Sequence, residues 1–347
     1  MKVLYVGWTG QQNLGDDAIA DALVPHVPGI EPWHVPHDPL GFASKALAEG
    51  PLRRGRRTVL LGGGTVIGRR NWRLLLTATG VALAGARPWH LIGAGVEDPA
   101  FQGRNSFSAN GELARWRSLC ARFDRVTVRG PRSKALLDSV GIDARVVGDP
   151  ALLHEPAAVS PRERLVGVNL GFGDDLWGHD HDRVVSSVAE LVRELVTDGW
   201  TARLIVINPK DMGYARECLR QAGIPEERAE IVTTLTVADF LAAAGECTVL
   251  VAERLHALVL GAVAGTPLAG LEYQPKCADF LESVGAWGVR TDAVTADGLR
   301  ERVDALSGNR DAESTRLLDT VAGLRELLRV ELARIQASVS GELEVAR

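Results

Sequence analysis

Cysteine is scarce in this chain and scattered. Cys120, Cys218, Cys247 and Cys277 form no C-x-x-C pair, which argues against a disulfide framework or a thiolate metal site and fits a reducing compartment. No apolar run reaches the roughly twenty residues that span a bilayer. Met1-Lys2 leads straight into Val3-Leu4-Tyr5-Val6-Gly7, a strand with a glycine turn, so no signal peptide is expected. Charge of one sign is not in large excess either. Lys and Arg number 39 against 44 Asp and Glu, a net charge of −5, and neither half is strongly basic, which argues against nucleic acid as a general partner. The phosphate-binding fingerprints are incomplete. Gly62-Gly63-Gly64 has Ile67 where the third glycine of G-x-G-x-x-G would fall, no acidic residue follows at ribose spacing, and no G-x-x-x-x-G-K-S/T occurs. A cytoplasmic protein is expected, with attachment to the inner face of the membrane left open.

What is present is a soluble composition, 46% hydrophobic and 24% charged, in 347 residues, enough for two domains with their own cores. Short apolar strands alternate with helical patterns throughout, which predicts α/β architecture with parallel sheets. Strands are expected at Val3–Val6, Thr58–Leu61, His90–Ile92, Arg125–Val128 and Arg145–Val147, with helices near Asp17–Val24, Trp72–Ala84, Gly111–Arg122 and Pro131–Ser139. The Pro156 to Pro161 stretch reads as a linker. The pattern then restarts, with strands at Leu165–Leu170, Thr201–Ile207, Glu230–Ile231, Thr248–Val251 and Pro267–Leu271, and helices at Asp182–Asp198 and Tyr214–Ala222. The expected organisation is residues 1–155 and 164–310 as two Rossmann-like domains facing across a cleft, 156–163 as linker, and 311–347 as a long amphipathic C-terminal helix and tail.

The chemistry-bearing residues fall where strands are expected to meet helices, the edge where open α/β sheets bind ligands. Glu253-Arg254-Leu255-His256 follows an apolar run and pairs a fixed cation with a group that titrates near neutrality. Asp16 and Asp17 follow the first strand in a glycine-containing turn; each reads as a helix cap or as a carboxylate base. Gly63 and Gly64 expose backbone N–H groups able to cradle an anion. Arg129 suits bidentate pairing with a carboxylate or phosphate, or a structural ion pair with an aspartate. Asp149 reads first as a turn residue and second as lining the site. Lys276 reads as a cleft lysine or a surface one. Trp8, Trp72 and Trp177 could stack on sugars or fill core. His179, Asp180, His181 and Asp182 match no zinc spacing, so no metal is expected.

Taken in order, these segments resemble the polysaccharide pyruvyl transferase family. They are Asn13-Leu14-Gly15-Asp16-Asp17-Ala18-Ile19, Gly62-Gly63-Gly64, Val128-Arg129-Gly130-Pro131-Arg132-Ser133, Val147-Gly148-Asp149-Pro150-Ala151-Leu152-Leu153, Arg254-Leu255-His256-Ala257 and Tyr273-Gln274-Pro275-Lys276. Asp17 stands where family members often carry glutamate, and residues 29–52 and 173–182 match nothing alignable. The resemblance implies a GT-B-like fold and phosphoenolpyruvate as co-substrate, with no further cofactor. The pyruvyl unit becomes a ketal on two sugar hydroxyls and phosphate is released. It implies Arg129, Arg254 and Lys276, with Gly63 and Gly64, as donor-binding; His256 as general acid; and Asp16 as base. Asp17 and Asn13 in the first motif, and Trp8 and Trp177 by their place in expected cleft loops, are candidates for acceptor contact. The acceptor is a cell-surface polysaccharide precursor, lipid-linked or free, or a small glycoside. A GT-B nucleotide-sugar glycosyltransferase and a non-catalytic metabolite-binding homologue remain as alternatives, and oligomeric state is not read from the sequence.

Overall fold

The computed structural model describes residues 2–7, 14–27, 29–32, 44, 57–79, 89–101, 111–171, 177 and 180–340. Apolar runs too short for helices form two parallel sheets. In the amino-terminal half β1 (Lys2–Val6), β2 (Ile30–Pro32), β3 (Arg57–Gly62) and β5 (His90–Ile92) lie in the order β2-β1-β3-β5. Parallel bridges Trp89↔Phe123 and Ala94↔Val128 continue this sheet toward β7 (Thr127–Val128), which pairs with β8 (Arg145–Val146). Between them β4 (Thr65–Ile67) pairs with β6 (Gly95–Val96).

The carboxy-terminal half is more regular. Strands β9 (Leu165–Asn169), β10 (Thr201–Val206), β11 (Glu230–Thr233), β12 (Val249–Ala252), β13 (Leu268–Glu272) and β14 (Trp287–Arg290) form one parallel sheet ordered β11-β10-β9-β12-β13-β14. That is the doubly wound Rossmann order, with its reversal between β9 and β12. Every residue of β9 and β12 is buried, as strands covered on both faces must be. Side-chain caps start the covering helices: Asp180 accepts from Arg183 N at 3.0 Å ahead of His181–Thr197, and Thr236 from Asp239 N at 3.1 Å ahead of Val237–Gly245.

The strands expected at both sheet centres are present, and the helix Pro131–Ser139 has the bounds expected for it. Four strands were not anticipated: β2, β4, β6 and β14. The helix expected over Gly111–Arg122 is broken at Trp116, where Trp116 N bonds to Leu113 O at 3.1 Å and tightens the turn. The long tail helix spans Arg310–Ser340 and buries Leu317, Val321, Leu324, Leu328, Leu332 and Ile335, an apolar stripe at helical spacing. One core cluster runs from Val3, Ile19 and Leu152 through the carboxy-terminal sheet to this helix. A second, around Trp72, Trp89 and Trp116, covers the other face of the amino-terminal sheet.

Polar contacts cross the seam between the halves. Asp279 caps the helix Pro131–Ser139 from the opposite half, accepting from Ser133 N at 3.0 Å and Ser133 Oγ at 2.6 Å. Arg325 of the tail helix donates to Leu152 O and His154 O, and Arg334 pairs with Asp124. Among the described residues no helix is long and apolar enough to cross a membrane.

Candidate active site

The carboxyl ends of the strands in the two halves are brought together. In the amino-terminal half this edge carries Gly7 after β1, Gly63 after β3, Arg129 after β7 and Asp149 after β8. In the other half it carries Gly171 after β9, Asp211 after β10, Glu253 and Arg254 after β12, and Lys276 after β13. Contact is direct. A methyl group built on Gly15 would lie 2.0 Å from His256 Nδ1, so the start of the helix Leu14–Leu23 rests on the imidazole of the opposite half.

Arg129 is more deeply buried than Arg254 or Lys276. Its side chain is 0% exposed, its Nη1 lies 3.7 Å from Asp149 Oδ2, and its Nε lies 3.7 Å from Asp279 Oδ2. Both distances exceed hydrogen-bond length, and all three guanidinium nitrogens lack a hydrogen-bond partner. Asp149 Oδ1 accepts from Ala151 N at 3.0 Å and so caps the 3-10 turn Pro150–Leu153, while its Oδ2 is buried and unbonded. Asp149 is therefore both the turn residue and a lining residue.

Arg254 is held differently. Its Nε and Nη2 donate to the two carboxylate oxygens of Asp211, both at 2.5 Å, and its backbone N donates to Asn169 Oδ1 at 3.2 Å. Gly171 lies under this pair: a methyl there would fall 2.4 Å from Asp211 Cγ. Glu253 spans the reversal between β9 and β12, its Oε2 accepting from Gly171 N at 2.8 Å, with His181 Nε2 at 3.4 Å. Its Oε1 has no partner, and burial raises its pKa.

His256 occupies the first turn of the helix Leu255–Val263, with Nε2 buried and unbonded. Burial chiefly lowers its pKa to about 4; Asp149 opposes this, while Arg129, Lys276 and Arg254 add to it. The ring is thus neutral near pH 7. Half-buried Lys276 sits 4.8 Å above the Tyr273 ring, and burial, aided by Arg69 and Arg129, brings its pKa down to about 8. Tyr5 feels Asp16, Asp149 and Asp17 on top of its burial, and its phenol is pushed far up.

Some expectations need correction. Asp16 and Asp17 lie inside the first turn of the helix Leu14–Leu23, not at its cap; there they complement the helix dipole. Gly63 donates its N–H to Ile92 O at 3.2 Å, which takes that group from any anion cradle. Its φ of 46° and the approach of Ile19, 2.4 Å from an added methyl, are why glycine is needed there. Gly64, at φ 70°, accepts from Gly95 N at 2.8 Å. Trp177 is not an open sugar platform: Arg290 covers its ring at 4.2 Å, Phe101 meets it edge-on at 5.0 Å, and Nε1 donates to Glu272 O at 2.7 Å. Trp72 is core. Trp8 and Asn13 lie outside the described residues. Asp180 is a helix cap and His181 packs on Tyr214; among the described residues no cluster of His, Cys, Asp or Glu could hold a metal ion.

The sequence reading gave no role to Asp211, Asp279 or Thr65. Asp211 could have been found by its place just after β10. Asp279 lies inside a helix and acquires its partners only across the seam. A cavity of about 380 Å³ lined by Arg117, Cys120, Phe123, Arg125 and Arg145 lies at the amino ends of β7 and β8, the edge away from these groups.

Two facing doubly wound halves with charged groups meeting at their carboxyl edges define a GT-B-fold protein. The chain belongs to the polysaccharide pyruvyl transferase family, whose profile matches residues 13–275. Solved structures share the fold at low identity. MnaA from S. aureus, solved with UDP, is 13% identical with a TM-score of 0.64, over 99% of this chain and 97% of that one. The UDP-GlcNAc 2-epimerase from Neisseria meningitidis, bound to UDP-GlcNAc, is 13% identical with a TM-score of 0.59, over 96% and 99%. The pneumococcal O-GlcNAc transferase GtfA, with UDP and GlcNAc, is 12% identical with a TM-score of 0.55; 85% of this chain covers 59% of that longer one. No curated protein matches the sequence.

Proposed function

We propose that this protein is a transferase that moves the pyruvyl group of phosphoenolpyruvate onto two hydroxyls of a sugar, forming a ketal and releasing phosphate. The supporting observation is the concentration of buried polar atoms without hydrogen-bond partners at one seam: the three nitrogens of Arg129, Asp149 Oδ2, His256 Nε2 and Glu253 Oε1. Each such orphan costs about 1–3 kcal/mol, so their clustering fits a site completed by a polar ligand. Three cations, Arg129, Arg254 and Lys276, stand at this seam beside Asp149, Asp279 and Asp211, and they suit a donor bearing a carboxylate and a phosphate.

In this reading the donor's negative charge raises the His256 pKa from about 4, and the imidazolium delivers a proton to C3 of the enol. Positive charge builds at C2. One sugar hydroxyl, relieved of its proton by Asp16, adds its oxygen there. The bond from C2 to the phosphate oxygen breaks, with Lys276 steadying the leaving group. The second hydroxyl then closes the ketal. Of the two hydroxyl protons, one replaces that spent at C3 and the other leaves with phosphate. The acceptor is a sugar with two hydroxyls close enough for one carbon to bridge, on a polysaccharide precursor or a small glycoside.

A second reading, nucleotide-sugar binding, is favoured by the fold likeness to structures solved with UDP and UDP-GlcNAc. Calorimetric titration with phosphoenolpyruvate and, separately, UDP-glucose decides between them. Saturable binding of phosphoenolpyruvate, lost in Lys276→Ala, is expected. Binding of UDP-glucose alone would replace the first reading with the second.

A further inference from the structure

The triple glycine ends in a residue whose role the proposed reaction leaves open. Thr65 opens β4 and stands in register with Gly95 of β6. Its hydroxyl oxygen is buried and has no hydrogen-bond partner, although a hydroxyl can both donate and accept. Arg129 converges on the same place from β7. A methyl group built on Gly95 would lie 2.6 Å from Arg129 Nη2, 3.1 Å from Arg129 Cζ and 3.1 Å from Thr65 Oγ1. An uncommitted hydroxyl and an uncommitted guanidinium edge therefore meet over Gly95, a strand position with no side chain. The backbone there is pinned, with Gly95 N donating to Gly64 O at 2.8 Å and Ala94 N to Thr127 O at 3.2 Å.

Resting on the pyruvyl transfer reading, we propose that Thr65 Oγ1 and Arg129 together bind one anionic oxygen group of the donor above Gly95, making Thr65 a donor-binding residue. The hydroxyl donates one hydrogen bond and the guanidinium a second, both charge-assisted. Carboxylate and phosphate oxygens are equivalent in this chemistry, and phosphoenolpyruvate carries both.

A purely structural Thr65 and a ligand-binding one predict opposite behaviour for Thr65→Val. A valine of the same shape removes a buried hydroxyl that bonds to nothing, so the fold should be unchanged or slightly stabilised. Donor affinity should fall about ten- to a hundredfold, the worth of a hydrogen bond to a charged group, and Thr65→Ser should restore it. The experiment is calorimetric titration of wild type, Thr65→Val and Thr65→Ser with phosphoenolpyruvate, alongside their melting temperatures. Displacement of the donor by pyruvate and by inorganic phosphate identifies the group held. Loss of pyruvate competition in Thr65→Val assigns the carboxylate, and loss of phosphate competition assigns the phosphate. Wild-type affinity in Thr65→Val would overturn the proposal and leave pyruvyl transfer standing. Absence of phosphoenolpyruvate binding in the wild type would overturn both.

Discussion

Two arginines stand at the carboxyl ends of strands, one in each half of the molecule, in opposite circumstances. Arg254 is locked by two 2.5 Å bonds to Asp211. Arg129, more deeply buried, faces two carboxylates at 3.7 Å and bonds to neither. The first arrangement fixes orientation, because a bidentate fork leaves the guanidinium plane no freedom. The second neutralises charge without spending hydrogen bonds, so the donors stay uncommitted. A buried cation needs the former kind of partner to persist and the latter kind of vacancy to take a ligand. The two halves divide these requirements between them.

The group between the two arginines provides the most severe test. His256→Ala should lower kcat for pyruvyl transfer by ~10²–10⁴-fold, the usual worth of a general acid, and turnover near wild type would remove its role. Next comes Arg129→Met, which leaves Asp149 and Asp279 facing each other without a counter-charge. Breaking a buried ion pair in this way costs about 3–5 kcal/mol, and denaturant unfolding should register it. Arg129→Lys keeps the charge and should lose less stability, with the defect moved to the donor KM. Asp211→Asn should free Arg254 to turn and raise the donor KM by about tenfold, the order expected for one charge-assisted hydrogen bond; an unchanged KM would make the contrast between the arginines irrelevant to binding. A last effect concerns acid. His256 and His90 are both held near a pKa of about 4 by burial, against ~6.5 in an unfolded chain. Between pH 6.5 and 4 the unfolded chain therefore binds protons that the folded one refuses, and stability should fall as pH drops through that window. A melting series across it should be flatter for His90→Asn than for wild type.

The contrast between the arginines was only half legible beforehand. Both could be located, because each follows a short apolar run that only a strand explains, and the same signal marks Lys276 and His256. Their partners could not. Asp211 lies 43 residues from Arg254 in sequence, and Asp279 lies 146 from Ser133, separations that no local pattern encodes. The regular sheet of the second half was easier to anticipate than the first, where β2 and β4 have three residues each and β6 has two, too few for periodicity to register. Edge strand β14 escaped because its residues are partly exposed and carry no apolar run. Thr65 directly follows the three glycines but acquires meaning only from Arg129 crossing beside Gly95.

The helix Arg310–Ser340, 31 residues and so roughly 46 Å long, is synthesised after both sheets. Yet it supplies the Arg325 and Arg334 contacts to Leu152, His154 and Asp124. The first half thus leaves the ribosome lacking the segment that secures it. Its apolar face toward the tail stays uncovered until that helix, whose buried stripe runs to Ile335, has emerged. The clasp that Arg325 and Arg334 place on the first half is in this sense a late event in the life of the nascent chain, added to a seam that Gly15, His256, Ser133 and Asp279 already join.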